Sequence, residues 1–137
     1  TPSPLMLEFG RCVHRALTHV RAYCEKNRGY RDFVLSRLRG EPELLDSSSD
    51  TREYDAGWMT TVDVIFEPDP RLKPAQKAII ETDYGMQNGQ LVVTSRGALV
   101  QYVLQRYHID PNKVQAKAAA QQIVAANLDA LGRWLYT

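Results

Sequence analysis

The chain has 137 residues, 44% of them hydrophobic, and a formal net charge of +1. That apolar content supplies a core and excludes wholesale disorder, and the length fits one domain or a small domain plus part of another. A balance this close to neutral gives the chain as a whole no strong pull on polyanions.

The charge is unevenly spread. Residues 1–40 carry eight basic side chains (Arg11, Arg15, Arg21, Lys26, Arg28, Arg31, Arg37, Arg39) against three acidic ones (Glu8, Glu25, Asp32). A local basic surface hints at an anionic partner. Cys12 and Cys24 are the only cysteines, too few for a disulfide scaffold. With His14 and His19 they match no zinc-ligand spacing, so no metal and no cofactor are expected. No apolar run approaches the ~20 residues of a membrane span, and no signal peptide is evident. A cytoplasmic protein is expected.

In chain order, Leu5–Phe9 reads as a short strand between Pro4 and Gly10. Thr18–Cys24 alternates, with Val20, Ala22 and Cys24 on one side and His19, Arg21 and Tyr23 on the other. The turn Glu25–Gly29 follows, with Asn27 and Gly29 suited to positive φ. The next strand, Tyr30–Arg39, places Arg31, Phe33, Leu35 and Arg37 on one face, and Gly40 and Pro42 break it. Cys24, on the apolar side, is expected to be a buried free thiol. Arginines beside Tyr23 and Phe33 suit a planar or phosphorylated anion, because guanidinium gives a bidentate fork and stacks. The same spacing fits a solvated strand face whose aliphatic stems cover their neighbours.

Residues 46–57 (DSSSDTREYDAG) lack apolar periodicity and read as a linker between domain 1–45 and domain 58–137. Thr60–Glu67 alternates as a half-buried strand ended by Pro68 and Pro70. Pro74–Tyr84 reads as a helix, with Pro74 at its first position and Gly85 just past its end. Asn88-Gly89 signals a turn before the strand Leu91–Thr94. Ser95 suits the cap of a helix Arg96–His108. Asp110 and Pro111 suit the start of a last helix running toward Leu135, about 25 residues and ~37 Å long. Part of its apolar edge is expected to meet another chain. The fold class is therefore α+β, strands followed by a β-α-β-α-α layer with a long C-terminal helix.

HVRAYCEKNRGYRDFVLSR (His19–Arg37) resembles the end of the WYL domain of bacterial transcription regulators. PRLKPAQKAIIETDYGMQNGQLVVTSRGALVQYVLQRYHIDP (Pro70–Pro111) resembles the C-terminal extension, WCX, that follows such domains. The resemblance covers about Pro4 to Pro111. It implies an Sm-like β-barrel that senses a nucleotide or single-stranded oligonucleotide, a C-terminal domain that forms a homodimer, and DNA binding by an N-terminal winged helix. Several members of the family repress anti-phage defence genes or respond to DNA damage. The family's basic pocket falls on Arg21, Arg31 and Arg37, with His19 and Tyr23 beside them; Arg96 and Arg106 are weaker candidates. Neither the W-Y-L tripeptide nor a winged helix occurs in this sequence, which begins at Thr1, so a partial barrel is expected.

Two other classes of function stand beside this one. A homodimerisation module without ligand fits the long terminal helix. An enzyme would need Asp32, Ser36, Asp63, Glu67 or Asp69, and none of these shows the spacing of a triad, a paired-carboxylate metal site or a phosphate loop. The chain is expected not to be an enzyme.

Overall fold

The computed structural model describes residues 5–14, 17–43 and 50–135. The chain divides into two compact units, residues 1–59 and 60–137. The first is an antiparallel sheet of β1 (Leu5–His14), β2 (Leu17–Cys24) and β3 (Gly29–Val34), in that order. Pairing of β1 with β2 shifts register between Leu7 and Arg11. Ala22 and Cys24 are buried, and Cys24 is a free thiol. Its sulfur accepts from Asn27 Nδ2 at 3.5 Å. β3 stops at Val34, earlier than its alternation implies, and a 3-10 turn at Leu35–Arg37 follows. The Leu38 N–H donates to the Leu35 carbonyl, and Arg39 Nη1 donates to the carbonyls of Ser36 and Leu38, so local bonds replace a ladder.

In the stretch expected to be a linker, residues 46–49 lie outside the described residues. Residues 52–54 form a 3-10 turn, and α1 (Ala56–Met59) is a single helical turn. The Thr51 carbonyl accepts from the Tyr30 hydroxyl, which ties this segment to β3.

The second unit is α+β, as expected. Its sheet has the order β5-β4-β6, all antiparallel, with β4 (Thr61–Pro68) between β5 (Leu91–Arg96) and β6 (Ile123–Ala125). Helix α2 (Pro74–Asp83) starts at Pro74, where the missing N–H costs nothing. Gln76 Oε1 accepts from the Lys73 N–H at 3.0 Å, and Gly85 ends the helix at φ +62°. Asn88 (φ +54°) and Gly89 (φ +74°) make the tight turn into β5. Val64 and Phe66 of β4 bury against Leu72, Ile80, Val100, Leu104, Ile109, Ile123 and Leu131. Phe66 stacks on Tyr107 with ring centroids 4.5 Å apart.

Two helices differ from expectation. Ser95 belongs to β5 and caps nothing; a 3-10 turn at Gly97–Leu99 leads into α3 (Val100–Arg106). A Cβ on Gly97 would lie 2.5 Å from Trp134 Cε3, so glycine is required for the indole to pack there. The long C-terminal helix does not form. Asp110 accepts from the Asn112 N–H at 2.9 Å in a turn, and only Ala118–Gln121 (α4) is helical before Gln122 reverses the chain at φ +62°. Ile123–Ala125 then pairs with β4, and α5 (Leu128–Leu131) follows. The helix propensity of alanine loses to burial of Ile123, which only the sheet provides. The apolar edge of this stretch enters the unit's own core: Ile123 and Leu131 are buried, and Leu128, Trp134 and Leu135 pack against them.

Two polar side chains hold this unit together. Buried Asp69 accepts from the Arg71 backbone N–H and from its guanidinium, at 2.8 Å to Nη2. Those hydrogen bonds hold the Asp69 carboxyl below the usual carboxylate range. Asn127 continues the β6 ladder with its side chain: Oδ1 accepts from the Ile65 N–H at 3.0 Å, and Nδ2 donates to the Asp63 carbonyl at 2.7 Å.

Asn127→Ala removes both of these bonds and leaves two groups of β4 without them. Urea denaturation followed by Trp134 fluorescence is expected to show a loss of about 1–3 kcal/mol. A change within ~0.5 kcal/mol would show that water serves β4 equally well.

Candidate functional site

The hairpin β2–β3 was expected to carry the site, and its register decides which side chains meet. His19 pairs with Val34, Arg21 with Asp32, Ala22 with Arg31 and Tyr23 with Tyr30. Directly paired residues share a face. One face therefore holds His19, Arg21, Tyr23, Tyr30, Asp32 and Val34. The other holds Val20, Ala22, Cys24, Arg31 and Phe33. Arg21 and Arg31, expected in one basic pocket, point to opposite sides of the sheet.

The turn explains the inversion. It occupies Glu25–Arg28, so that Cys24 pairs with Gly29. Arg28 takes the left-handed conformation (φ +52°), in place of the Asn27 and Gly29 expected there. A turn one residue longer would pair Cys24 with Tyr30 and bring Arg21 and Arg31 to one face. Arg37 sits in the 3-10 turn beyond β3 and, like Arg31, is exposed. Arg96 and Arg106 belong to the second unit, on β5 and α3. The structure thus brings His19, Arg21 and Tyr23 together and separates Arg31 from them.

Arg21 is the centre of the face it occupies. Its Nε and Nη2 donate to Asp55 Oδ2 and Oδ1 at 2.7 and 2.9 Å, a bidentate fork. Its Nη1 donates to Asp32 Oδ1 at 3.1 Å. The guanidinium-bearing side chain is 14% exposed, and those of Asp32 and Asp55 are 9% and 4% exposed. Burial by itself would lower the Arg21 pKa. The hydrogen bonds and charges of Asp55 and then Asp32 outweigh it, so the guanidinium is held more firmly protonated than usual.

Asp55 also caps α1. Its Oδ1 accepts from the Trp58 N–H at 3.3 Å, and its carbonyl accepts from the N–H groups of Trp58 and Met59. One side chain therefore joins the hairpin to the segment that runs into the second unit at Thr60. Sequence reasoning passed over Asp55 because it lies in a stretch without apolar periodicity; a capping residue just before Ala-Gly-Trp-Met was the available signal. Beside this ion cluster, Tyr23 meets Tyr30 edge-on at 5.1 Å and 70°. Among the described residues, no group of three or more His, Cys, Asp or Glu side chains is arranged to hold a metal ion. No helix among them is long and apolar enough to cross a membrane. The side chains of Cys12 and His14 lie outside the described ones.

Arg21→Met removes the guanidinium that the buried Asp32 and Asp55 share. The first unit is expected to lose roughly 3–5 kcal/mol, read by urea denaturation at Trp58, with Asp55→Asn losing less because it keeps an acceptor. A loss below ~1 kcal/mol for Arg21→Met would mean that solvent already screens the cluster.

Residues 61–131 match the family described as the BrxR transcriptional regulator, C-terminal dimerization domain. Over 111 residues the chain is 34% identical to a DNA-binding transcriptional repressor, CapW, of Pseudomonas aeruginosa, covering 81% of this chain and 37% of the relative. It is 28% identical over 117 residues to CapW of Stenotrophomonas maltophilia (85% and 39%), and 32% identical over 111 residues to CapW of Escherichia coli (81% and 37%). The chain thus spans little more than a third of the length of these relatives. The family match fills the second unit almost end to end, and the aligned relatives reach beyond it into the first; the chain belongs to the BrxR family of transcriptional regulators and carries its C-terminal dimerization domain.

Proposed function

We propose that this chain is the ligand-sensing and homodimerising part of a bacterial, cytoplasmic, non-enzymatic transcriptional repressor. The observation that carries the reading is the match of the second unit, residues 61–131, to a dimerization domain. Duplex-DNA binding comes from a winged helix in the longer protein, in line with the naming of the relatives as DNA-binding repressors. The first unit acts as the WYL-type sensor and the second as the WCX-type dimer domain.

The ligand is a nucleotide or single-stranded oligonucleotide. Arg31 and Arg37 are exposed cations available to phosphates. Arg21 already grips an anion, the Asp55 carboxylate, in a bidentate fork, and a phosphate competes for the same donors. Success in that competition frees Asp55 from β2 and loosens α1 next to Thr60. His19 and Tyr23 flank the exchange. A ligand shifts this balance only as far as its affinities for the two states differ.

A purely structural dimerisation module is the second reading. It is favoured by the same cluster, because Asp32 and Asp55 already satisfy Arg21. Fluorescence anisotropy with a fluorescein-labelled single-stranded oligothymidylate separates the two. The sensing reading expects saturable binding that Arg31→Glu with Arg37→Glu weakens roughly tenfold or more, with a salt dependence that falls in step. Absence of binding, or affinity unmoved by both substitutions, leaves the structural module.

A further inference from the structure

The backbone of β4 alternates between its two neighbours. The Gly97 N–H donates to the Thr60 carbonyl, which makes Thr60 and Gly97 a mutually facing pair. With the one-to-one register of β4 and β5, the same holds for Val62 with Ser95, Val64 with Val93 and Phe66 with Leu91. The other side of β4 agrees: the Ile65 carbonyl accepts from the Ala126 N–H, and the Ile65 N–H and the Asp63 carbonyl go to Asn127. In β5, Leu91, Val93 and Ser95 therefore turn their backbone groups toward β4. Val92, Thr94 and Arg96 turn theirs outward, to an edge that no other described strand covers.

That edge has few of the usual protections. It runs six residues, LVVTSR, without Pro or a register shift, and its one charged residue, Arg96, stands at the end of the strand. Val92 is 49% exposed and lies directly across from Ile65 on the same face. The opposite edge, β6, is three residues long, entered from the reversed Gln122 and left into α5. The other exposed apolar side chains of this unit, Ile79 on α2 and Val114, lie on segments whose backbone offers no strand edge, and single exposed apolar residues are ordinary.

We propose that β5 is the contact between two copies of this chain. Two β5 strands pair antiparallel about a twofold axis at Val93. The Val92 N–H donates to the carbonyl of the partner's Thr94, and the Thr94 N–H to that of the partner's Val92. The reciprocal bonds follow by symmetry. The two three-stranded sheets become one of six strands, β6-β4-β5-β5-β4-β6. A second copy is the occupant because β5 lies within residues 61–131, the span matched to a dimerization domain. Of the outward residues 92, 94 and 96, the first two flank Val93, so antiparallel pairing centred there is complementary to itself. This assignment rests on the dimer reading above and adds where the dimer forms.

The test is the mass of the full chain by multi-angle light scattering. The unaltered chain is expected at twice its 15.6 kDa. Val92→Pro removes an outward N–H without touching a bond to β4, a place where a strand tolerates proline. It is expected to halve the mass while circular dichroism stays unchanged. Val92→Lys serves the same end if the proline variant unfolds, because a charge on an edge opposes pairing. Val114→Lys, at a residue 68% exposed, is expected to leave the mass doubled. A folded Val92 variant that stays dimeric, or a Val114 variant that alone becomes monomeric, overturns the β5 contact and leaves the dimer reading standing. A monomeric unaltered chain overturns both.

Discussion

The second unit depends on the position of β4. A strand in the middle of a three-stranded sheet must satisfy its backbone on both sides, and β4 does so by strict alternation. On one side it has a full strand, β5. On the other it has three residues of β6, then the Ala126 N–H, then the carboxamide of Asn127 standing in for a peptide group. The inward face of the same strand delivers Val64 and Phe66 to the core. Backbone satisfaction and burial thus fix the strand twice over, and what remains unmet is transferred to the outer edge of β5.

The first unit is governed by a smaller constraint, the number of residues in one turn. Four residues between Cys24 and Gly29 set the pairing of Arg21 with Asp32 and send Arg31 to the other face. The electrostatics follow from that register. Arg21 becomes a nearly buried cation between two carboxylates, and Asp55 becomes at once its partner and the cap of α1. A cation so placed is a poor free binding group and a good latch, since anything that takes Arg21 must first displace Asp55. The basic surplus of residues 1–40 is therefore not one patch: part of it is neutralised within the unit, and part, Arg31 and Arg37, remains exposed.

Local rules carried the sequence reading far in residues 60–109. Pro74, Gly85 and Asn88-Gly89 each act within a few residues, and the elements they bound lie where they imply. The buried thiol of Cys24 followed from simple alternation. The failures share a cause. The long C-terminal helix was a sum of alanine propensities, and the pull of Ile123 toward Pro68 acts across more than fifty residues of chain. The relation between the two arms of the hairpin turned on a single residue of turn length, which Asn27 and Gly29 together left ambiguous. Asn127 and Asp55 act at sequence separations of 62 and 34 residues, where no spacing rule reaches. The resemblance reached a bacterial transcriptional regulator where periodicity did not, because it compared whole stretches such as Pro70–Pro111, a region that the family match to a regulator's dimerization domain covers.

The central claim is that the outer edge of β5 is where this regulator meets its copy. Amide hydrogen exchange resolved by NMR reads that edge residue by residue. The account predicts that Val92 and Thr94 exchange as slowly as Val93 in concentrated protein, and that dilution below the dimer constant exposes Val92 and Thr94 while Val93 stays protected. Fast exchange at Val92 and Thr94 in a sample that is fully dimeric would contradict it.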